Sequence, residues 1–175
     1  MKSQVNPSTG VRQDDVFGEV YLPFAQRSPE ELNRALASLP PPKPAPILSV
    51  EKAQAHLPFK LVLAQCPSLL TLKGVQLTKE VFPDGTLGQI LTHVIYRYQD
   101  KEIILNELLL SSPDKAAKPE SAKEIETNNG TVWLLDNWVP GRTEIWWTKN
   151  SLTLALWVDK SIPTEVLIKM VNCVE

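Results

Sequence analysis

Residues 143–159 read TEIWWTKNSLTLALWVD, and their alternation decides the fold. Successive residues of a strand point to opposite sides. A two-residue turn at Lys149-Asn150 or at Asn150-Ser151 gives the same sorting of side chains. Ile145 and Trp147 share one face with Leu152, Leu154 and Leu156, while Trp146 shares the other with Thr153, Ala155 and Trp157. The leucine-rich face is the core, because a one-residue slip would turn every one of these side chains into water. Trp146 and Trp157 then fall on the second face of the sheet, beside Glu144 and Thr153.

Working outward, short strands recur between turn signals. Pro83-Asp84-Gly85 closes a strand over 75–82. Residues 89–98 and 102–110 form a hairpin across Gln99-Asp100-Lys101, and Asn129-Gly130 joins 123–127 to 131–136. Pro140-Gly141 is a further turn, and 111–123, rich in Ser, Pro, Lys and Ala, reads as a mobile loop. Downstream, Ser161 as cap and Pro163 in the first turn begin a helix reaching about Val174. Ile162, Val166, Met170, Val171 and Val174 form its apolar face. Strand after strand and then one helix define an α+β fold: an antiparallel β-sheet, a meander of hairpins, packed by a C-terminal helix, with no parallel βαβ unit.

Proline divides the chain. Eight of the 15 prolines precede Ile47, with Pro40-Pro41-Pro42 followed closely by Pro44 and Pro46, a composition suited to an extended spacer. Before it, Ser28, Pro29 and Glu31 cap a short helix striped by Leu32, Leu36 and Leu39. So short a helix must dock or fray. Residues 1–47 read as a proline-rich arm, and 48–175 as the α+β domain. That domain opens on a helix capped by Ser49, with Glu51 in its first turn and Pro58 ending it. Leu61, Leu63, Leu70 and Leu72 follow in an extended stretch interrupted at Cys66-Pro67.

A net charge of −2, with both signs interleaved, offers no basic field for nucleic acid. No apolar run approaches the ~20 residues of a membrane helix, and Met1 to Pro7 lack the apolar segment of a secretory signal. Either the chain is cytoplasmic or a targeting segment lies outside it. Catalytic candidates are few. His56 sits at a helix end and His93 in mid-strand, both in structural settings. No nucleophile elbow or phosphate loop exists among 7 glycines. Glu102 with Glu107, or Glu124 with Glu126, are the carboxylate pairs a sugar hydrolase would need, but solvated strands show the same pattern. The chain reads as non-enzymatic, without cofactor or metal.

All five tryptophans fall between Trp133 and Trp157. The favoured reading has the helix or the arm covering Trp146 and Trp157. The functional reading makes Trp146, Trp157, Glu144 and Thr153 an aromatic platform for a glycan, peptide or partner protein. Cys66 and Cys173, 107 positions apart, match no metal pattern. They are either two small buried hydrophobes or a disulfide tying the last helix to the start of the sheet. Spacing leaves both open.

Several of these stretches resemble a known domain. They are the Ser49-Val50-Glu51-Lys52-Ala53-Gln54 helix start, Leu57 to Leu63, the Tyr-containing strand 94–98, the Asn-Gly turn, Trp147 to Asn150, and the helix from Pro163 to Met170. Residues 49–174 are similar to an uncharacterised domain at the extracytoplasmic C-terminus of bacterial anti-sigma factors and sporulation-related lipoproteins. The resemblance implies an anchor outside this chain, the arm as its stalk, and no catalytic residue. That family has a small residue near position 173 and no cysteine at 66, so the two cysteines depart from its pattern together, as a disulfide pair would. The leading expectation is an extracytoplasmic sensor or ligand-binding domain, membrane-tethered through a segment outside the chain, with an unknown ligand or partner protein. The alternative is a structural or assembly module pairing through the aromatic face or a sheet edge, and third comes a cell-wall hydrolase.

Overall fold

The computed structural model describes residues 16–23, 28–109, 121–136 and 139–175. The strands are β1 (Phe17–Tyr21), β2 (Thr71–Val81), β3 (Leu87–Tyr98), β4 (Lys101–Leu109), β5 (Lys123–Thr127), β6 (Gly130–Asp136), β7 (Arg142–Lys149) and β8 (Leu152–Asp159); the helices are α1 (Pro29–Ser38), α2 (Val50–Gln54) and α3 (Thr164–Asn172). The loop expected over 111–123 lies outside the described residues as far as 120, and Lys123 already opens β5.

All eight strands form one sheet in the order β1-β2-β3-β4-β8-β7-β6-β5. It is α+β and mostly antiparallel, as expected, but it is not one continuous meander. Strands β2–β4 and β5–β8 are two meanders joined where β8 pairs antiparallel with β4, Leu105 opposite Leu156. The β7–β8 turn is Asn150-Ser151, both with positive φ (51° and 63°), the geometry whose twist matches paired strands. In the β5–β6 hairpin Thr127 faces Gly130, so the turn is Asn128-Asn129 and Gly130 carries the positive φ.

Three expectations are corrected at the N-terminal side. Residues 17–21 are not part of a separate arm: β1 pairs parallel with β2, Phe17 opposite Leu77. Since α1 and α2 lie in that connection, the sheet does contain one parallel βαβ unit where none was expected. Phe17 is buried in the core, edge-on to His56 at 5.6 Å and beneath the Lys79 ammonium at 4.1 Å. The proline-rich stretch is not a free spacer either. Glu19 and Lys43 exchange backbone hydrogen bonds, and Gln76 Nε2 donates to Ala45 O at 2.8 Å. Gly18 permits this crossing, since a Cβ there would stand 2.8 Å from Lys43 O. Among the described elements only α1 stands apart. Ser28 caps it by accepting from Glu31 N–H, yet none of its residues is buried, and Leu32 and Leu36 are 40% and 50% exposed.

The core lies on the leucine face. Ile145, Trp147, Leu152, Leu154 and Leu156 pack there with Ile103, Leu105, Val75 and Leu77. Over them lie Ala53 of α2, the irregular stretch holding Leu61, Val62, Cys66 and Leu70, and Val166, Leu167, Met170 and Val171 of α3. Helix α3 begins later than its sequence suggests. Its cap position is Pro163, without a side-chain bond, because Ser161 instead donates its N–H and hydroxyl to Asp159. Those two bonds, with Lys101 nearby, hold the Asp159 carboxyl down at about 2.

The chain end is fastened at several points. Cys66 and Cys173 form a disulfide with Cα atoms 5.8 Å apart. Alongside it, Gln65 N–H donates to Cys173 O and Glu175 N–H to Leu63 O. The carbonyls that end α3 are taken up from the other side: Asn129 Nδ2 donates to Val171 O at 2.5 Å, and Lys149 Nζ to Val174 O at 2.9 Å. Such donors and a cation suit the negative end of a helix.

Candidate functional site

The outer face of the sheet, away from α2 and α3, carries the residues singled out above. Registers align them in rows across the strands. Ile95, Ile104, Trp157, Glu144 and Leu135 form one row; His93, Asn106, Ala155, Trp146 and Trp133 form the next. Trp146 and Trp133 therefore meet as direct cross-strand neighbours, their rings 4.5 Å apart and tilted by 34°. Trp146 is only 7% exposed. Helix α3 does not cover it as favoured above, because α3 packs on the opposite face; among the described residues the Trp133 indole lies against it on the sheet.

Trp157 is 39% exposed. With Val139, Arg142, Thr143 and Glu144 it lines a cleft of about 130 Å³. A broader groove of about 600 Å³, reaching Lys101, Glu102, Ile104 and Pro140, adjoins it, and Trp157 and Arg142 border both. The Pro140-Gly141 turn builds one wall: Arg142 N–H donates to Val139 O at 2.9 Å and Gly141 takes a φ of 81°. Burial raises the Glu144 carboxyl above its ordinary value, and a hydrogen bond from Trp157 opposes the rise. That bond holds the edge of the indole beside Glu144, with the ring 39% exposed where it lines the cleft. Arg142 is exposed, and no hydrogen bond or ion pair to its side chain is seen among the described residues.

The four platform residues thus separate. Trp157 and Glu144 come together; Trp146 is buried in the next row, and Thr153, a further row along, does not line the cleft. Arg142 and Val139 were missed. Arg142 lies two residues before Glu144 and so on its face, a signal the sequence carries. Trp138 lies outside the described residues. Nor do the proposed carboxylate pairs hold together as one set. Glu102 is exposed on the outer face and Glu107 buried on the other, while Glu124 and Glu126 sit exposed on edge strand β5. His93 Nδ1 is bound to Asn106 Oδ1 at 2.5 Å, and Asn106 Nδ2 donates to Ala155 O at 3.3 Å.

Glu107 is the other unusual group, only 1% exposed within the core. Burial pushes its carboxyl up to about 8, against the pull of a hydrogen bond from Val62 N–H. Nearby, Tyr96 OH accepts from Ala64 N–H at 2.8 Å, and burial raises that phenol to about 12. Both side chains pin the irregular 57–70 stretch to the sheet, and their setting is structural.

Compared with family models, with curated proteins and with solved structures, the chain matches none. Fold and cleft therefore stand on their own geometry.

Proposed function

We propose that the chain is a non-enzymatic binding domain that holds its ligand on the outer sheet face at Trp157, and that it works outside the cytoplasm as part of a membrane-tethered bacterial regulator or lipoprotein. The observation carrying this reading is the exposed Trp157 ring, fixed by Glu144 and bordered by Arg142. A large aromatic surface beside a few fixed polar groups is what recognition sites offer. The Cys66–Cys173 disulfide suits an oxidising compartment, and the resemblance of residues 49–174 to extracytoplasmic domains of anti-sigma factors and sporulation lipoproteins supports the tethered setting. The test is native mass spectrometry of protein isolated from its source, as wild type and as Trp157→Ala. An adduct on the wild type that the variant loses supports the reading. An adduct that the variant retains, or none on either, overturns it.

A second reading, a module that assembles with another protein, is favoured by one feature. Helix α1 keeps a well-formed N-terminal cap while leaving Leu32 and Leu36 uncovered. A chain working this way would lose its partner on Leu32→Ser/Leu36→Ser and keep it on Trp157→Ala.

A further inference from the structure

Resting on the binding reading above, we infer that the ligand of the Trp157 cleft is a saccharide, its ring stacked on the indole and its hydroxyls held by Glu144 and Arg142. The argument starts from where the cleft lies. Strands β4, β8 and β7 are interior strands, each paired on both sides. Their backbone N–H and C=O groups are occupied by the ladders. A ligand lying on these strands meets their side chains, and main chain only at the Pro140-Gly141 turn.

That excludes the main-chain pairing by which extended peptides add to sheets, which needs a free edge. It suits a ligand carrying its own dense set of donors and acceptors. A sugar ring is such a ligand: one face presents C–H groups to an aromatic surface, and its rim presents hydroxyls. The cleft supplies the complement of each. Trp157 offers a flat, partly exposed ring. Glu144 is an acceptor when ionised, and Arg142 is a fork of donors with no partner of its own among the described residues.

Size and shape agree. The inner cleft of about 130 Å³ is closed on one side by Val139 and leads past Trp157 into the groove of about 600 Å³. One ring seated on the indole would leave its neighbours along the groove, where Glu102 and Lys101 supply one further acceptor and one further donor. The site is open and shallow, the form expected for part of a chain rather than an enclosed small molecule. Its apolar area is small, so affinity should be modest and concentrated in the stacked ring.

A glycan array covering plant, animal and bacterial saccharides, probed with the full chain, tests this, with a decapeptide array run alongside. The best-bound glycan is then titrated calorimetrically against wild type, Trp157→Ala, Trp157→Phe and Arg142→Ala, each checked for folding by circular dichroism. The expected result is glycan binding that weakens roughly tenfold or more in Trp157→Ala, less in Trp157→Phe, and measurably in Arg142→Ala. Glycan binding indifferent to Trp157 overturns the inference, as does the absence of glycan binding. If decapeptides bind through Trp157 and glycans do not, the saccharide is overturned while the binding domain stands.

Discussion

Both oxygens of the buried Glu107 carboxyl lie against one donor, the backbone N–H of Val62, at 3.2 and 3.1 Å. A single N–H is a meagre partner for an ion in the core. The group is therefore kept neutral in the folded state to about pH 8, whereas it would ionise near 4.5 when unfolded. Between those values the folded chain binds the extra proton, so stability is full below about pH 4.5 and declines as pH rises toward 8, by about 1.4 kcal/mol per pH unit. Glu144, also raised, adds to the decline. Asp159 acts oppositely, its contribution being lost only as pH falls below 3.8 toward about 2, outside this window. Urea midpoints measured from pH 5 to pH 8 should fall for the wild type and fall far less for Glu107→Gln. Parallel curves for the two proteins would show that Glu107 does not set the slope.

The disulfide closes a separation of 107 residues. On the chain-entropy account such a closure is worth about 4–5 kcal/mol. Cys66→Ser/Cys173→Ser should lower the melting temperature by roughly 10–20 °C, and the unreduced, denatured wild type should titrate no free thiol. Two free thiols in protein from its native source would contradict both the bond and an oxidising address.

Asn129 joins a hairpin turn to the end of α3 through Val171 O and Val174 O. Asn129→Ala leaves those carbonyls to water and should cost about 1–2 kcal/mol. Lys149→Met, which removes the cation but keeps the stem, should cost less, because Asn129 still reaches the same carbonyls. Hydrogen exchange should show the loss as fraying of the last turn of α3, with the central strands unchanged.

Two glycines with positive φ separate strain from clash. Gly74 has a φ of 146°, and a Cβ there would stand 2.7 Å from Leu48 O, the carbonyl that pairs with Val75 N–H. Gly85, φ 83°, faces open space. Gly85→Ala should cost about 1 kcal/mol, and Gly74→Ala some 2 kcal/mol or more beyond that, on the order of a substitution that breaks packing. Equal costs in denaturant melts would mean that Leu48 yields freely.

Much of this architecture could be read from local pattern. The 143–159 hairpin sorts its side chains as alternation demands, with Trp147 in the core and Trp146 on the far face. What escaped reading depends on partners distant in sequence. Nothing within Phe17 to Tyr21 announces a parallel mate at Leu77, and no turn signal reveals that β8 sits beside β4. Trp146 was judged by what might cover the sheet, when the indole of its cross-strand neighbour Trp133 lies directly against it. Glu107 was in principle within reach: it follows Ile103 and Leu105 at a spacing of two, on the face their burial defines. Its charge made the surface seem its place, and only the backbone of Val62 explains why it is not.

The place of β8 in the sheet has a consequence for how the molecule comes into being. Residues 152–159 follow every other described strand along the chain, yet they fill the seam between β4 and β7. Until they arrive, two half-sheets wait with unpaired edges, each a template for a strand from another copy. Closure depends on contacts far apart along the chain, which form slowly. The covalent link follows later still, since Cys173 trails even β8. A folding chain is thus most open to wrong pairing while β8 is still unplaced, and assistance to its folding would matter most at the bare flanks of β4 and β7.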